Sequence, residues 1–473
     1  MYKLSEFYID GAWQAPAPGA ATTEIVNPAT EAVIGTLALG TVVDVNRAVS
    51  AARAAFPSWS STSREERLAL LARIVRCYEA RIDDIATAIH EEIGAPMWLC
   101  KTRQAPLGLM MLESAIAALK EMEFERKIGR AEVVSEPIGV AALITPWNWP
   151  AGAIMGKVAY ALAAGCTVVL KPSELAPLDA RIIAEVMHDA GVPAGVFNMI
   201  YGLGPDVGAA LSAHHDVDVI SLTGSTRAGT AVAAAAANSV KRVLLELGGK
   251  SPNVILDDAD LKAAVTDGVI SCMINSGQTC VAPTRMLVPR HLHDEAAAIA
   301  AAVADSLKVG DPMQDDSKVG SVANRAQFEK VQRMIGIGIE EGAQVVAGGI
   351  GRPVGIDKGY FVRPTIFANV SNEAVIAREE VFGPVLTMIP YDGEAQAIDI
   401  ANDTEYGLAA YVWSKDAARA RRVAGKLRAG TVRINGASAD YAAPFGGYKR
   451  SGNGRELGTY GLAEYLEHKS VTA

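Results

Sequence analysis

The chain has 473 residues, of which 50% are hydrophobic and 21% are charged, and its formal net charge is −9. This length and composition predict two or three domains with sizeable apolar cores, and they exclude a disordered chain. The negative charge argues against nucleic acid as a partner, because phosphate binding needs clustered Lys and Arg.

Three further features predict a cytoplasmic protein. The five cysteines are scattered without a CxxC pair, which argues against a disulfide framework and fits a reducing compartment. The opening segment MYKLSEFYIDGAW lacks the basic region and the apolar run of a signal peptide. No apolar stretch reaches the roughly 18 residues that would suggest a membrane span.

The predicted elements begin with a mixed region and become regular further along the chain. Residues 1–40 combine strand-like and turn-like pieces, and residues 45–56 and 65–93 show helical periodicity. From Gly139 onward, strands and helices alternate. The strand candidates are GVAALIT, CTVVLKP, GVFNMIYG, VDVISLTGS and VKRVLLELGG, and the helix candidates are AGAIMGKVAYALAAG and LDARIIAEVMHDAG. This alternation predicts a parallel sheet with crossover helices.

A second α/β region covers residues 253–434, with the strand candidates RMLVPR and TVRING and the helix candidate DEAAAIAAAVADSL. Residues 123–139 interrupt the pattern with alternating charged and apolar positions, which predicts a hairpin that projects from the first domain. Exposed strands of this kind often pair with another subunit. The predicted fold class is therefore α/β, with parallel sheets.

The ends of the predicted strands carry the residues expected to bind a ligand, because ligands bind at the carboxyl ends of strands in open parallel sheets. In VVLKPSE, Lys171 and Glu174 follow a strand and suit a ribose or a phosphate. A surface lysine and a solvated glutamate at a helix start explain the same residues equally well. The segment SLTGSTRAG places Gly224 in a turn and Ser225 at a helix start, where free N–H groups suit a phosphate.

A third strand end, YGLGPDVGAAL, contains Gly204 and Gly208 near a proline. A helix cap that begins with Pro205 and a cofactor contact are both compatible with this segment. The sequence alone does not decide between them.

The segment NSGQTCV contains Cys280 behind a glycine, a glutamine and a threonine. Considered alone, a cysteine is more often a buried apolar residue than a nucleophile. The order of the motifs around it is what changes this interpretation.

The motifs PWNWP, KPSE, TGST, LELGGK, GQTC, EEVFGP and PFGGYKRSG occur in this order over residues 146–452. This combination resembles the aldehyde dehydrogenase superfamily over essentially the whole chain. The resemblance implies an aldehyde-dehydrogenase-like fold, with two Rossmann-like domains and a small β oligomerisation element. It implies oxidation of an aldehyde to an acid with NAD, or with NADP as a possible alternative.

The resemblance also implies catalytic roles. Cys280 would be the nucleophile that forms a thiohemiacetal and then a thioester, which requires a thiol pKa lowered from about 8.5. Glu246 of LELGGK would be the general base for the hydrolytic water, and Asn148 of PWNWP would form the oxyanion hole with the backbone N–H of Cys280. Lys157 and Glu456 match a pair that relays protons from the base in some members.

The positions that match the family's cofactor contacts lie in most of the motifs. They are Thr145, Pro146, Trp147, Lys171, Ser173, Glu174, Gly204, Gly208, Thr223, Gly224, Ser225, Leu247, Gly248, Glu380 and Phe382. Glu174 suits the ribose 2′-hydroxyl and would repel a 2′-phosphate, which favours NAD. Lys171 would accommodate NADP if the glutamate moved away.

The positions assigned to the substrate pocket are Trp149, Met273, Thr279 and Phe445. Met273 and Trp149 depart from the residues that are usual in the family, and Gly156 replaces a bulky tryptophan of acetaldehyde-type members. These departures predict a reshaped tunnel with space near Gly156. They do not identify the aldehyde.

The resemblance further implies the domain boundaries and a homodimer or homotetramer. Residues 1–121 and 141–252 would form a discontinuous cofactor domain, and 253–434 the catalytic domain. Residues 122–140 and 461–473 would form the oligomerisation hairpin and C-terminal strand, while 435–460 would form the substrate-entrance loop and the return to the first domain.

Alternative functions remain open at the level of sequence. A CoA-acylating enzyme would resolve the thioester with a thiol, but such members generally lack the base at the position of Glu246. A structural protein that uses the same fold without catalysis is a second alternative. Such a protein would not need Cys280, Glu246 and Asn148, which this chain retains. The histidine-containing segments HLHDE and HHDVD are interpreted as a helix start and a loop, so no metal site is predicted.

Overall fold

The computed structural model describes residues 1–472. The strands are β1 Tyr2–Leu4, β2 Phe7–Ile9, β3 Ala12–Gln14, β4 Thr22–Asn27, β5 Ala32–Ala38, β6 Glu125–Ile128, β7 Ala131–Pro137, β8 Val140–Ile144, β9 Thr167–Lys171, β10 Phe197–Met199, β11 Val219–Thr223, β12 Arg242–Glu246, β13 Pro252–Ile255, β14 Arg285–Pro289, β15 Gln344–Ala347, β16 Thr365–Ala368, β17 Val385–Tyr391, β18 Ala409–Trp413, β19 Thr431–Ile434, β20 Gly452–Asn453 and β21 Leu466–Thr472.

The helices alternate with these strands over most of the chain. They are α1 Val42–Ser60, α2 Arg64–Ala80, α3 Ile82–Ile93, α4 Met97–Leu99, α5 Ala105–Glu121, α6 Pro150–Ala164, α7 Leu178–Asp189, α8 Ala209–Ala213, α9 Thr226–Ala236, α10 Leu261–Met273, α11 His293–Ser306, α12 Arg325–Glu340, α13 Val375–Arg378, α14 Gly393–Asn402, α15 Ala417–Ala424 and α16 Gly458–Ala463. Short π-helical segments at Cys100–Gln104 and Gly204–Gly208 precede α5 and α8.

The first large sheet has eight strands in the order β20-β12-β11-β8-β9-β10-β2-β3. Its five central strands are parallel, and the strands at its edges are antiparallel. β8 and β9 are buried along their whole length, which explains their nearly continuous apolar sequences. The carboxyl ends of β8, β9, β11 and β12 therefore lie along one edge of this sheet.

The second large sheet has seven strands in the order β15-β16-β17-β14-β13-β18-β19. Only β15 is antiparallel to its neighbour. Two separate apolar clusters pack against this sheet, whereas one continuous cluster surrounds the first sheet. These arrangements confirm the predicted α/β fold with two parallel sheets.

Two three-stranded sheets complete the fold, in the orders β1-β5-β4 and β21-β7-β6. In the second of these, β6 and β7 form the predicted hairpin, and β21 pairs antiparallel with β7 at seven positions. The side chains of β6 are exposed throughout the strand. The C-terminal chain thus returns to the hairpin.

Two expectations about the elements need correction. The periodic stretch 65–93 is two helices, because Arg81 leaves the helical conformation and bonds Glu185 on α7 at 3.2 Å. The strand expected over 461–473 begins only at Leu466, because the preceding segment forms α16. In α16, Gly461 packs against the backbone of Glu456, where an added Cβ would lie 2.6 Å away.

No helix within residues 1–472 is both long and apolar enough to cross a membrane. The segment HLHDE forms the start of α11, with Asp294 and Glu295 in the first turn, as the sequence predicts.

Candidate active site

Cys280 lies half-buried in the loop that follows α10. The turn before it contains three consecutive residues with left-handed backbone, Asn275 (φ 54°), Ser276 (φ 56°) and Gly277 (φ 73°). Such a conformation costs roughly 1–2 kcal/mol for each non-glycine residue. A Cβ at Gly277 would collide with the backbone of Gly383. The turn therefore depends on contacts that hold it in place.

Asn148 provides one of these contacts from the start of α6. Its Nδ2 donates to the backbone carbonyl of Gln278 at 3.0 Å. Asn275 Nδ2 in turn donates to the backbone carbonyl of Asn148 at 2.8 Å. The predicted oxyanion-hole residue and the predicted nucleophile loop are thus bonded to each other in both directions.

Trp149 adds a second link between α6 and this loop. Its indole Nε1 donates to the hydroxyl of Thr279 at 3.1 Å. Both residues were assigned to the substrate pocket, and the bond brings them together next to Cys280. Trp149 also packs against the large apolar cluster around the first sheet.

The electrostatic setting of Cys280 differs from the expectation. Burial, together with the charges of Glu380, Glu246 and Glu456, raises the pKa of the Cys280 thiol to about 12. The expected lowering is wrong, because burial of the thiol is the largest influence on its pKa and the nearby carboxylates act in the same direction. A raised pKa favours the protonated thiol over the thiolate at neutral pH.

Glu246 is the last residue of β12 and is only 4% exposed. Neither carboxylate oxygen has a hydrogen-bond partner among the described residues. Burial raises the pKa of Glu246 well above its usual value, and the nearby Glu456 adds to this effect. A buried, unpaired carboxyl is costly unless it has a chemical role.

Lys157, which is buried, and Glu456, which is partly exposed, form an ion pair near Glu246. Lys157 Nζ also donates to Ser221 Oγ at 2.7 Å. Glu456 exchanges two backbone hydrogen bonds of 2.7 Å with Phe445, so the predicted entrance residue and the predicted relay residue share one bridge. Gly446 approaches Glu246 so closely that an added Cβ would lie 2.6 Å from its Oε1.

The end of β9 supplies the predicted ribose-binding pair. Lys171 Nζ donates to the carbonyls of Pro172 and Gly202 at 2.8 and 2.7 Å, and it lies 3.4 Å from Glu174 Oε2. Burial lowers the pKa of Lys171, and the charge of Glu174 opposes this shift. The lysine is therefore an internal anchor of the strand end, and the glutamate is the more exposed partner.

The neighbouring strand ends carry most of the remaining cofactor candidates. Thr145 follows β8, and its buried hydroxyl has no partner within residues 1–472. Ser173 Oγ accepts the N–H of Leu175 at 3.2 Å. An added Cβ at Gly208 would lie 3.9 Å from Lys171, and one at Gly204 would meet nothing within 4 Å. Pro205 lies in the first turn of its π-helical segment, which fits the capping interpretation, and a cofactor contact at Gly204 and Gly208 stays a prediction.

Ser225 caps α9, and its hydroxyl accepts the N–H of Ala228 at 3.2 Å. Thr223 pairs with Glu246 in the sheet, and the N–H of Gly224 donates to the Glu246 carbonyl at 3.0 Å. The helix start thus lies beside the strand that carries the predicted base.

One nicotinamide-side candidate, Glu380, contacts the loop that follows β12. Glu380 Oε1 accepts the N–H of Gly249 at 2.9 Å, and an added Cβ at Gly248 would collide with the same carboxylate. Leu247 is buried, and its N–H donates to the Ser451 carbonyl at 2.9 Å. The Glu380 carboxylate therefore reaches the loop that directly follows Glu246.

The Phe382 ring packs edge-on against Trp147, with ring centroids 5.5 Å apart. Phe382 has a left-handed backbone (φ 59°), which is unusual for an aromatic residue. Gln327 Nε2 donates to the carbonyls of Val381 and Phe382 at 3.1 and 2.7 Å and supports this conformation. Pro146 and Trp147 are half-buried at the end of β8.

The assignment of Met273 to the substrate pocket is not supported by its position. Met273 is 1% exposed and lies in the apolar cluster that includes Cys272. It is the last residue of α10, so its side chain packs inside the domain. The next residue, Ile274, is half-buried and packs against the cluster of the first domain instead.

The predicted space near Gly156 is limited to what a Cβ would occupy, and the wider tunnel stays a prediction. An added Cβ at Gly156 would meet only Met111 of α5, with its Sδ 3.6 Å away. One turn earlier, Leu107 fills the space over Gly152, where an added Cβ would lie 2.5 Å from its Cδ2. Trp149, Gly152 and Gly156 lie on one face of α6, because they are three and four residues apart.

Comparison with known proteins agrees with this arrangement. A sequence model of the aldehyde dehydrogenase family matches residues 13–471. The chain belongs to this family. The match confirms the predicted fold and the predicted class of reaction, which is the oxidation of an aldehyde by a nicotinamide-dependent dehydrogenase.

This aldehyde dehydrogenase is 54% identical over 472 residues to 3-succinoylsemialdehyde-pyridine dehydrogenase of a Pseudomonas species, covering 100% of the chain and 99% of the relative. A mutant of aldehyde dehydrogenase C of Pseudomonas syringae, solved with NAD+ and octanal, is 51% identical with a TM-score of 0.98, covering 99% of this chain and 96% of that one. The Mycobacterium tuberculosis aldehyde dehydrogenase, solved with NAD+, is 40% identical with a TM-score of 0.97, covering 100% and 98%.

One group of potential metal ligands occurs in the described part of this aldehyde dehydrogenase, at His214, His215 and Asp216. Their ligand atoms lie within 4.8 Å of one another. The Nδ1 atom of His214 accepts the N–H of Asp216 at 3.1 Å, so it is already engaged within the loop. We assign no metal to this group.

Sequence reasoning missed three buried amides of the aldehyde dehydrogenase site, Gln104, Asn275 and Gln278. Asn275 and Gln278 lie within the segment NSGQTCV, in which only Cys280 and Thr279 were assigned roles. Gln104 lies 176 positions before Cys280 by residue number, in a segment without a motif. Only the folded chain brings it to the site.

Proposed function

We propose that this enzyme oxidises an aldehyde to a carboxylic acid with NAD+, with Cys280 as the nucleophile and Glu246 as the general base. The observation that carries the proposal is the mutual bonding of Asn148 and the Cys280 loop, with the unpaired Glu246 close by. These are the parts that covalent aldehyde oxidation requires.

In the first step, Cys280 loses its thiol proton to solvent, and the thiolate adds to the aldehyde carbon to form the thiohemiacetal as an alkoxide. The developing alkoxide would accept hydrogen bonds from Asn148 Nδ2 and from the backbone N–H of Cys280. One Nδ2 hydrogen is committed to the Gln278 carbonyl, which leaves the second one directed by that bond. A preorganised donor of this kind is worth roughly 3–4 kcal/mol of barrier.

Loss of hydride from the thiohemiacetal leaves a thioester on Cys280. Bound NAD+ supplies the hydride acceptor. Its binding would use Lys171 and Glu174 on the adenosine side, and Glu380 with Phe382 on the nicotinamide side. The unpaired Thr145 hydroxyl and the open surface at Gly204 are consistent with a ligand across these strand ends.

Water then hydrolyses the thioester after Glu246 accepts one of its protons. Because the pKa of Glu246 is raised, its carboxylate forms at a higher pH than that of an exposed glutamate, so we expect deacylation to become faster as pH rises. The ion pair of Lys157 and Glu456 lies next to it and provides a route by which the proton leaves the buried site. Retention of this base favours hydrolysis over transfer of the acyl group to CoA.

The geometry favours NAD over NADP. Lys171 Nζ donates two of its three hydrogens to the carbonyls of Pro172 and Gly202. It is therefore less available for a 2′-phosphate, and the charge of Glu174 would repel one.

We infer that the substrate has an extended or bulky apolar body. Leu107, Met111 and the small residues of α6 would form an apolar wall beyond Trp149. The relatives named above act on a pyridine-bearing semialdehyde or bind octanal, as their names state, and both aldehydes have such a body.

We also propose the domain division and a homodimer or homotetramer, in which the exposed hairpin strand β6 and the C-terminal strand β21 form the contact between subunits. Exposed strand edges favour this kind of pairing.

A pre-steady-state assay with octanal and NAD+ tests the proposed function. Glu246→Gln should still release one equivalent of NADH in a burst, and its steady-state rate should fall by roughly 10²-fold or more, because deacylation loses its base. Cys280→Ala should show neither burst nor turnover while it still binds NAD+. A Glu246→Gln enzyme that turns over at the original rate contradicts the role of Glu246. Rescue of turnover only by CoA would favour the acylating alternative.

A further inference from the structure

We propose that Gln104 is a positioning residue that holds the oxyanion-hole amide of Asn148 against the Cys280 loop. This inference rests on the proposed function, because it assigns Gln104 a role through Asn148.

The first observation is the position of Gln104. It is fully buried and is the last residue of the π-helical segment Cys100–Gln104. Its Nε2 donates to the backbone carbonyl of Asn148 at 3.0 Å and to Oδ1 of Asn275 at 3.2 Å. A π-helical segment widens one helical turn and frequently occurs at functional sites. Here it directs an amide from the α5 side into the space between α6 and the nucleophile loop.

The second observation is that the surrounding amides form a closed network. Asn275 Nδ2 donates to the carbonyls of Asn148 and Gln278, at 2.8 and 3.3 Å. Asn148 Nδ2 donates to the same Gln278 carbonyl. Three amide side chains thus converge on two backbone carbonyls. These bonds fix the orientation of the Asn275 amide, because its Oδ1 accepts from Gln104 while its Nδ2 donates to the two carbonyls.

The third observation concerns the choice of residue at position 104. The Oε1 atom of Gln104 has no hydrogen-bond partner among the described residues. A buried acceptor without a partner is destabilising, so an apolar residue of similar volume would suit packing better. The two bonds from Nε2 are what a glutamine provides and a methionine does not.

These contacts predict a specific consequence. Asn275 has a left-handed backbone, and its side-chain bonds help to fix that conformation. Without Gln104, Asn275 Oδ1 loses its hydrogen-bond donor, and the Asn148 carbonyl loses one of its two donors. Asn148 Nδ2 would then be less well directed toward the alkoxide. The acylation step should suffer, and NAD+ binding should not.

The test is a double-mutant cycle on the NADH burst with octanal and NAD+. Gln104→Met should lower the acylation rate by roughly 10–100-fold, the scale expected when a reacting group is misplaced. Asn148→Ala should lower it further. In the Asn148→Ala background, Gln104→Met should have little additional effect, because the group it positions is gone. The NAD+ dissociation constant should stay within about twofold of the original.

Asn198→Ala is the matched control. Asn198 is also a fully buried amide, and its Nδ2 donates to the carbonyls of Val168 and Gly195 at 3.1 and 2.8 Å. This change should lower the unfolding midpoint without slowing acylation per active enzyme. If Gln104→Met does not fold, Asn275→Gly carries the test, because glycine keeps the left-handed backbone and removes the amide.

Losses that add fully in the double mutant overturn the positioning role and leave the oxyanion role of Asn148 intact. An Asn148→Ala enzyme with an unchanged burst overturns both assignments.

Discussion

At Cys280, the balance of neighbouring charges governs reactivity. Burial and the surrounding carboxylates keep the thiol in its neutral form in the cofactor-free protein. A neutral thiol is a poor nucleophile and resists oxidation, since the thiolate is the reactive form. We therefore expect Cys280 to react slowly with alkylating agents at neutral pH.

This environment predicts the pH dependence of alkylation in the cofactor-free enzyme. Because the pKa of Cys280 is raised to about 12, the thiolate fraction should increase about tenfold per pH unit between pH 7 and 9. The rate of iodoacetamide labelling, followed by mass spectrometry of the peptide that contains Cys280, should rise accordingly without a plateau.

Two variants sharpen this measurement. Glu380→Gln removes the largest of the charges that raise the pKa of Cys280 and should speed labelling at each pH. Glu379→Gln, at the exposed neighbouring position, is the control and should change little. A plateau below pH 8 would mean that the pKa is lowered after all.

At the residue scale, the sequence was sufficient where a side chain lies inside a family motif. Cys280, Glu246 and Asn148 were all predicted, and the structure brings them to one place. Their roles remain predictions until the variants are measured. Gln104 was not predictable, since its function depends on contacts with residues far away in the chain. Met273 was misassigned, because spacing from the nucleophile does not reveal which way a residue at a helix end points.

Among the elements, the packing of α5 against α6 forms the wall of the proposed substrate tunnel. Gly152 is filled over by Leu107, whereas Gly156 leaves ordinary contact distance to Met111. The two glycines therefore differ in whether a larger side chain could replace them. Of the two, only Gly156 would accept a Cβ without displacing a neighbouring side chain.

Gly156→Leu should fill this space. We expect the KM for octanal to rise roughly tenfold or more, because a side chain would occupy the volume assigned to the aldehyde body. The KM for propanal should change much less. The ratio of kcat/KM for the two aldehydes, measured at saturating NAD+, reports the effect.

Gly336→Leu is the control for this substitution. It places the same side chain in α12, where an added Cβ would meet only Ile350 at 3.9 Å. An equal loss for both aldehydes with Gly156→Leu would indicate general damage to the helix and would contradict the tunnel assignment.

The regular α/β region was predictable at the element scale, since each strand and helix from residue 139 to 249 carries its own periodicity. The break between α2 and α3 was not predictable. Arg81 ends the helix while it bonds Glu185 of α7, a contact that local periodicity does not contain. Likewise, the helix α16 depends on the close approach of Gly461 to the backbone of Glu456.

Across the whole molecule, the two ends of the chain complete structures that begin elsewhere. β2 and β3 form one edge of the first sheet, and β20 forms the other. β21 pairs with β7 over seven positions, and Arg242 donates to the Leu466 carbonyl at 2.7 Å. The C-terminal segment is thus an integral part of the small sheet.

Removal of residues 466–473 tests the proposed role of that sheet in assembly. The shortened enzyme should form a smaller oligomer than the full chain, as measured by light scattering after size-exclusion chromatography. The reason is that β7 loses its partner strand and the shared edge is lost. Lys469→Ala, which removes only the ion pair with Glu136, should leave the oligomer unchanged. An unchanged assembly after truncation would place the contact between subunits elsewhere.

The position of Glu456 near the end of the chain has a consequence for synthesis. Lys157 and Ser221 are made early. Glu456, which pairs with Lys157, follows 299 residues after it. Proteins are built from the N-terminus at roughly 5–20 residues per second, and domains fold as they emerge. A ribosome-bound chain that already contains Cys280 and Glu246 therefore still lacks the relay, the β20 edge and Phe445. On the proposed roles, the site is complete only after Phe445 and Glu456 have been made.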